Sequence, residues 1–318
     1  MTRPPSLCDS CSFKRDVRGR AGQRYLLCRN GTIEVKYPPQ PVQICPGYRE
    51  LGRSAMTDAQ LFQVDTFTEQ PFSGNPAGVC ILDAPAQAEW MQQIATELRM
   101  PATAFVSPGE PGWALRWFTA TDELEICGHG TVAAAHVLWE TNALAPGATA
   151  EFATAAGPIA AAQEGTSIFL TLPAGHVEAA EAPPGLLDSV GAAVESVWRT
   201  PLDYLLVARG PEAVASLEPD IDAIARIATR GVIVTAAGGE AVDFTSRFFA
   251  PRIGVPEDSV TGSAHASLAP FWAERLGKPT LRARQASPRG GFLDLRVDGA
   301  TVHVGGPAVT VSRGALLV

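Results

Sequence analysis

The sequence predicts an α+β protein built from two like halves, each a set of strands around one buried helix, behind a small cysteine-rich module. Three observations carry this. The chain has 318 residues, 46% of them hydrophobic and 18% charged, enough for two packed units at roughly 100–200 residues each. Residues 1–55 differ from the rest: they hold ten Lys and Arg against four Asp and Glu, whereas residues 56–318 hold the other 15 against 29. Finally, an aromatic strand end, a short loop, a glycine and a run of small residues occur in that order twice.

The first segment contains Cys8, Cys11, Cys28 and Cys45, four of the six cysteines. In a reducing compartment such a cluster reads as metal ligands rather than disulfides. Four thiolates suit tetrahedral Zn2+, and so short a segment needs a staple of this kind. Only Cys8-x2-Cys11 has knuckle spacing, so a small extension with free thiols is the alternative. An iron-sulfur centre is a further variant. Arg15, Arg18, Arg20, Arg24 and Arg29 alternate with Phe13 and Tyr25. Such a face is more commonly solvated than bound to nucleic acid. Residues 49–57 read as a linker, and Met56 as an older start.

In the first half, Leu61, Phe62, Val64 and Phe67 predict a strand. Ser73 to Gly78 predict a turn, and Val79 to Leu82 a returning strand. Trp90, Ile94, Ala95 and Leu98 have helical spacing over 86–99. Ala104-Phe105-Val106 and Ala114 to Phe118 predict strands. Cys127-Gly128-His129-Gly130-Thr131 then opens a stretch to Trp139 that is apolar on nearly every face, as in a helix buried all round.

The second half repeats the theme. Phe248-Phe249-Ala-Pro leads through Glu257-Asp258-Ser259-Val260-Thr261-Gly262-Ser263-Ala264-His265 into Ala266 to Trp272. Aligning Gly128 with Gly262 pairs Cys127 with Thr261 and His129 with Ser263. Pro270 is expected to kink the second helix. The halves are expected to span 57–172, with 305–318 as a candidate completing strand, and 173–304. Each central helix would aim its N-terminus at a shared cleft, where free N–H groups and the dipole attract an anion.

Several classes are excluded. No apolar run reaches the 18 or so residues of a membrane span. No apolar secretory signal follows Met1, so a cytoplasmic location is expected. The acidic body does not suit a nucleic-acid groove. Neither a GxGxxG nor a GxxxxGK[ST] fingerprint is present.

Phe72-Ser-Gly-Asn-Pro-Ala-Gly-Val, Phe118-Thr-Ala, Cys127-Gly-His-Gly-Thr, Phe249-Ala-Pro and Pro256-Glu-Asp-Ser-Val-Thr-Gly-Ser-Ala-His resemble the phenazine-biosynthesis PhzF-like family. The resemblance runs from about residue 59 to the end, through Gln285, Arg289 and Val304-Gly305-Gly306. It implies the diaminopimelate-epimerase-like fold, with two pseudo-symmetric domains, each a curved, mostly antiparallel sheet around a central helix. It also implies an isomerase that needs no cofactor and is usually a homodimer; the two facing helix N-termini suit a small carboxylate-bearing metabolite as its substrate. By position, the cleft residues it implies are Asn75, Gly128, His129, Asp258, Gly262 and Ser263. Gly128 and Gly262 would free N–H groups for a carboxylate. His129 and Asp258 would move or position protons. Asn75 and Ser263 would bind substrate, though Asn75 also suits a plain turn and Ser263 a cap.

Two positions depart from that pattern. Ala102 stands where the resemblance implies the general-base glutamate, and alanine takes no proton. The epimerase relatives use two facing cysteines, whereas this chain pairs Cys127 with Thr261. Three readings stay open. In one, an isomerase uses another base, with Cys127 the best candidate because a helix N-terminus favours the thiolate; Asp258, Glu125 or His129 could serve instead. In the second, the clamp binds an anion without catalysis. In the third, the cysteine module is the working part, binding metal or a partner, and the body is a metabolite-sensing or structural partner to it. Cys127 reads equally well as a buried small hydrophobe.

Overall fold

The computed structural model describes residues 14–18, 24–28, 59–110, 112–191, 193–239 and 241–317. Residues 1–58 with 317–318 group as one unit and residues 59–316 as another. In the first unit, strands β1 (Lys14–Arg18) and β2 (Arg24–Cys28) pair antiparallel, with Lys14 opposite Cys28. Cys8, Cys11 and Cys45 and the side chain of Cys28 lie outside the described residues, and with them the expected zinc site. So do the side chains of the interleaved arginine face and the linker 49–57.

The body begins with β3 (Gln60–Thr66) and β4 (Asn75–Ile81). In β3 the period-2 pattern puts Phe62 and Val64 against the central core and Leu61 on the opposite layer. The strand β4 starts at Asn75, four residues before the sequence reading placed it. Antiparallel pairing of Thr66 with Asn75 and parallel pairing of Gly78 with Thr103 hold the segment extended from both sides. That pairing overrides the local turn preference of Asn-Pro. Helix α1 (Ala88–Leu98) follows and buries Met91, Ile94 and Ala95, with Trp90 and Leu98 only partly covered. It ends on Arg99 in the left-handed region.

Strands β5 (Thr103–Pro108), β6 (Trp113–Phe118) and the short β7 (Glu123–Leu124) lead to α2 (Gly128–Glu140). Strands β8 (Ala150–Thr154), β9 (Gly157–Glu164) and β10 (Ser167–Pro173) complete the first half. Then come β11 (Glu178–Ala179), α3 (Leu186–Val190), β12 (Val194–Arg199), β13 (Asp203–Ala208), α4 (Pro211–Ala215), α5 (Ile221–Arg226), β14 (Gly231–Ala237) and β15 (Phe244–Phe249). A 3-10 turn at Pro251–Ile253 precedes α6 (Gly262–Leu276), β16 (Thr280–Gln285), β17 (Gly291–Asp298) and the 15-residue β18 (Thr301–Ala315).

The pairing exposes the internal repeat. From β3 to β10, successive pairs run antiparallel, parallel, antiparallel, parallel, antiparallel and antiparallel. From β12 to β18 the order of pairings is the same. In each half the second parallel step is bridged by the central helix, α2 or α6. The two runs join into one 16-stranded sheet. Strand β18 pairs with β3, β10 and β17, so the hydrogen-bonded path closes into a ring in the first half. Helix α2 touches β3, β4, β5, β9, β10 and β18, so it lies inside that ring. Its Val132, Ala133, Ala134, Ala135, Val137 and Leu138 are all buried, as its all-round apolar sequence requires.

Pro270 does not break α6. A proline removes the bond to the carbonyl four residues back, and that carbonyl, on Ala266, instead accepts the Gly175 N–H at 2.9 Å. The neighbouring loop comes so close that a side chain at Gly175 would lie 2.1 Å from Ser267 Oγ. Among the described residues no helix is long and apolar enough to cross a membrane.

Candidate active site

The two central helices pack against each other, and the residues around their N-termini bridge the halves. Asn75, at the start of β4, is fully buried. Its Nδ2 donates to Asp258 Oδ1 and to the Val260 carbonyl, both at 2.8 Å. Those two bonds fix the orientation of the amide and leave Oδ1 without a partner. The loop before Asn75 is held in turn. Gly74 N–H donates to Gly290 O at 2.7 Å. Arg289 reaches the carbonyls of Ser73 and Gly74, and its Nη2 donates to buried Asp65 at 2.8 Å.

At α6 the N-cap position is Thr261, whose side chain does not cap its own helix. Its hydroxyl donates to Asp258 Oδ2 at 2.6 Å, and its N–H donates to Gln285 Oε1 at 2.9 Å. Gln285 is itself buried and returns its Nε2 to the Asp258 carbonyl at 2.7 Å. Asp258 is therefore held by Asn75 from one half and by Thr261 and Gln285 from the other. His265 faces the interior: it donates through Nδ1 to Thr261 O at 2.8 Å and accepts Ser246 Oγ–H at Nε2. Burial lowers its pKa to about 4, so the ring is neutral near pH 7 and structural.

At α2 the N-cap is Cys127, again without a capping bond of its own. Its Sγ lies 3.5 Å from His129 Nδ1, a thiol–imidazole pair in one turn of helix. Burial alone would lower the His129 pKa. The charge and hydrogen bond of Cys127, with the charge of Asp258, outweigh it and raise the pKa above the ordinary value. That coupling brings His129 and Asp258 into one electrostatic site. Helices of 13 and 15 residues thus present their N-terminal N–H groups here without side-chain caps, and such groups require an acceptor. A side chain at Gly262 would meet nothing within 4 Å, so the space before α6 is open.

Of the expected residues, Asn75 bonds to Asp258, Cys127 pairs with His129, and the charge of Asp258 reaches His129, while Gly128 and Gly262 open the two helices beside them. Ser263 does not join the network around Asp258: it is exposed in the first turn of α6, and its hydroxyl accepts from Arg230 Nη1 at 3.3 Å. Arg230 is ion-paired to buried Asp203. Glu125 is exposed. Ala102 is wholly buried on the inner face, in the same apolar cluster as Cys127. Arg230, Trp117 and the bracing by Gln285 were not assigned from sequence. The partners of Arg230 and Gln285 lie 24 to 33 residues away, and no local pattern marks them. Trp117 is 1% exposed, yet among the described residues its indole N–H has no acceptor; a buried unpaired donor costs about 1–3 kcal/mol. Among the described residues, no three His, Cys, Asp or Glu side chains are grouped to hold a metal ion.

The phenazine biosynthesis-like family model matches residues 64–314. The chain is 40% identical over 265 residues to an uncharacterized isomerase of Halalkalibacterium halodurans, covering 83% of this chain and all of that one. It is 44% identical over 257 residues to an uncharacterized isomerase of Pseudomonas aeruginosa, covering 81% and 98%. A solved PhzF-family protein of Enterococcus faecalis superposes with a TM-score of 0.78 at 37% identity, over 82% of this chain and 99% of that one. These likenesses bear out the resemblance and its fold for the body, leaving residues before about 59 outside it. By its family match, its relatives and its repeated architecture, the chain belongs to the phenazine biosynthesis-like (PhzC-PhzF) family.

Proposed function

We propose that the protein is a cofactor-independent isomerase that moves a proton on a small carboxylate-bearing metabolite. The observation that carries this reading is the Cys127–His129 pair, 3.5 Å apart at an uncapped helix N-terminus and within the field of Asp258. The relatives' description as isomerases supports it. The substrate carboxylate sits before the two helix N-termini, where backbone N–H groups and the dipoles hold its charge. The thiol proton passes to His129, whose raised pKa suits it to keep that proton. The thiolate removes the proton on the carbon beside the carboxylate, and the C–H electron pair is delocalised into the carboxylate as an enediolate. The N–H groups stabilise the developing oxyanion. His129 delivers its proton to the far carbon of a double bond conjugated with the enediolate, and Cys127 keeps the one it took, so the proton has shifted along the carbon chain and no atom is gained or lost. Ala102 takes no part as a base, and Thr261 commits its hydroxyl to Asp258.

The test is solvent-deuterium incorporation at carbon, screened over carboxylated metabolites by mass spectrometry. Uptake of a single deuterium by at least one of them, with the rate falling at least a hundredfold in Cys127→Ser, is expected. Exchange that survives this substitution unchanged removes the thiol from the mechanism, and no exchange by any candidate returns the site to plain anion binding. In the same reading the protein acts as a homodimer in the cytoplasm, and Cys8, Cys11, Cys28 and Cys45 hold Zn2+. Light scattering and metal analysis of reduced protein test the dimer and the zinc.

A further inference from the structure

The site contains one buried donor that the proposed chemistry has not used. Trp117, on the inner face of β6, points its indole toward the first turn of α2. A side chain at Gly130 would stand 3.2 Å from Trp117 Nε1, 2.7 Å from Trp117 Cδ1 and 3.1 Å from Cys127 Sγ. The indole and the sulfur thus flank the same empty side-chain position. The indole N–H has no acceptor there.

The internal repeat supplies a control. Trp117 and Phe118 end β6 as Phe248 and Phe249 end β15. Trp117 and Phe248 both face the central core, while Phe118 and Phe249 face outer layers. Aligning the helix starts places Gly130 opposite Ala264 and Cys127 opposite Thr261. In the second half the N-cap is a hydroxyl already satisfied by Asp258, the aromatic has no N–H, and a methyl group occupies the helix position. The half with the thiol has both an indole donor and the missing methyl that admits it.

We infer that Trp117 is a positioning residue for the Cys127 thiolate: its indole N–H donates to the sulfur once the thiol proton has passed to His129. Hydrogen bonds to an ionised partner are about twice as strong as neutral ones, so the bond favours the charged form. The inference rests on the acid–base reading of Cys127, but it can be tested without any substrate.

The test is the rate of Cys127 alkylation by iodoacetamide at pH 7, read at its own peptide by mass spectrometry. Burial pushes the Cys80 thiol up to about 12, which keeps it silent as an internal control. Trp117→Phe keeps the ring and removes the donor; with an unchanged melting profile, alkylation is expected to slow about tenfold. Because a core tryptophan variant can fail to fold, the wild-type protein provides a second measurement. With 15N-labelled tryptophan, the Trp117 indole resonance, assigned by its proximity to the Gly130 protons, is expected to shift downfield as the thiolate forms and to show no such shift in Cys127→Ser. Unchanged alkylation in folded Trp117→Phe, or an indole signal indifferent to thiolate formation, overturns the inference. If the indole responds and no carboxylate exchanges deuterium, the positioning role stands and the isomerase reading falls.

Discussion

The two helix N-termini occupy equivalent places in a repeated scaffold but are finished differently. At α6 the polar side chains around the N-cap brace one another: Thr261 to Asp258 and Gln285, and Asp258 to Asn75. At α2 the N-cap thiol meets only a histidine 3.5 Å away. The first arrangement is a hydrogen-bonded frame and the second a single thiol–imidazole contact. Equivalent helix ends in the repeat thus carry different chemistry: a thiol–imidazole pair at α2 and a carboxylate–hydroxyl–amide frame at α6.

The largest effect that would break this contrast is on proton transfer. Cys127→Ser keeps the size of the N-cap but loses the thiolate, and deuterium exchange should fall by a factor of at least 10². Acid sensitivity should come next, and it belongs to the α6 end. The neutral form of His265 is favoured in the folded state, with the pKa depressed from 6.5 to about 4. The unfolded chain therefore binds the extra proton first. The stability from this group is complete above pH 6.5 and is lost as pH falls toward 4, by roughly 3 kcal/mol at most. Melting curves across that range should show the loss in the wild type and a flatter dependence in His265→Gln. Gln285→Ala should strand the Thr261 N–H and the Asp258 carbonyl, lowering stability by about 2 kcal/mol in urea titration. Equal stability would mean that water replaces the amide. The smallest expected effect is that of Asp258→Asn. It removes one of the charges that raise the His129 pKa, so the imidazole titration followed by NMR should move down, with exchange slowed about tenfold.

The sequence revealed these two helices because both are made of small residues buried on nearly every side, a pattern that strands and surface helices do not share. The glycines that open them and the flanking Phe118 and Phe249 made the repeat visible. The start of β4 at Asn75 was hidden because Asn-Pro prefers a turn, and only neighbouring strands hold it extended. In the site, Cys127 and His129 were legible because they are two residues apart. Asn75 reaches Asp258 across 183 residues of sequence, a contact the residues alone do not state. The unpaired donor of Trp117 was invisible for a different reason: its meaning lies in what it lacks, and only packed neighbours define that.

The long strand β18 has a consequence for assembly. Its first residues pair with β17 and β10, and the remainder with β3. During synthesis the amino-terminal half must therefore wait, with a seam open along β3 and β10, until the ribosome has delivered nearly 250 further residues after β3 begins. Such long-range closure is slow. The ring of the first half cannot close until β18 arrives, so the part made first is the part completed last.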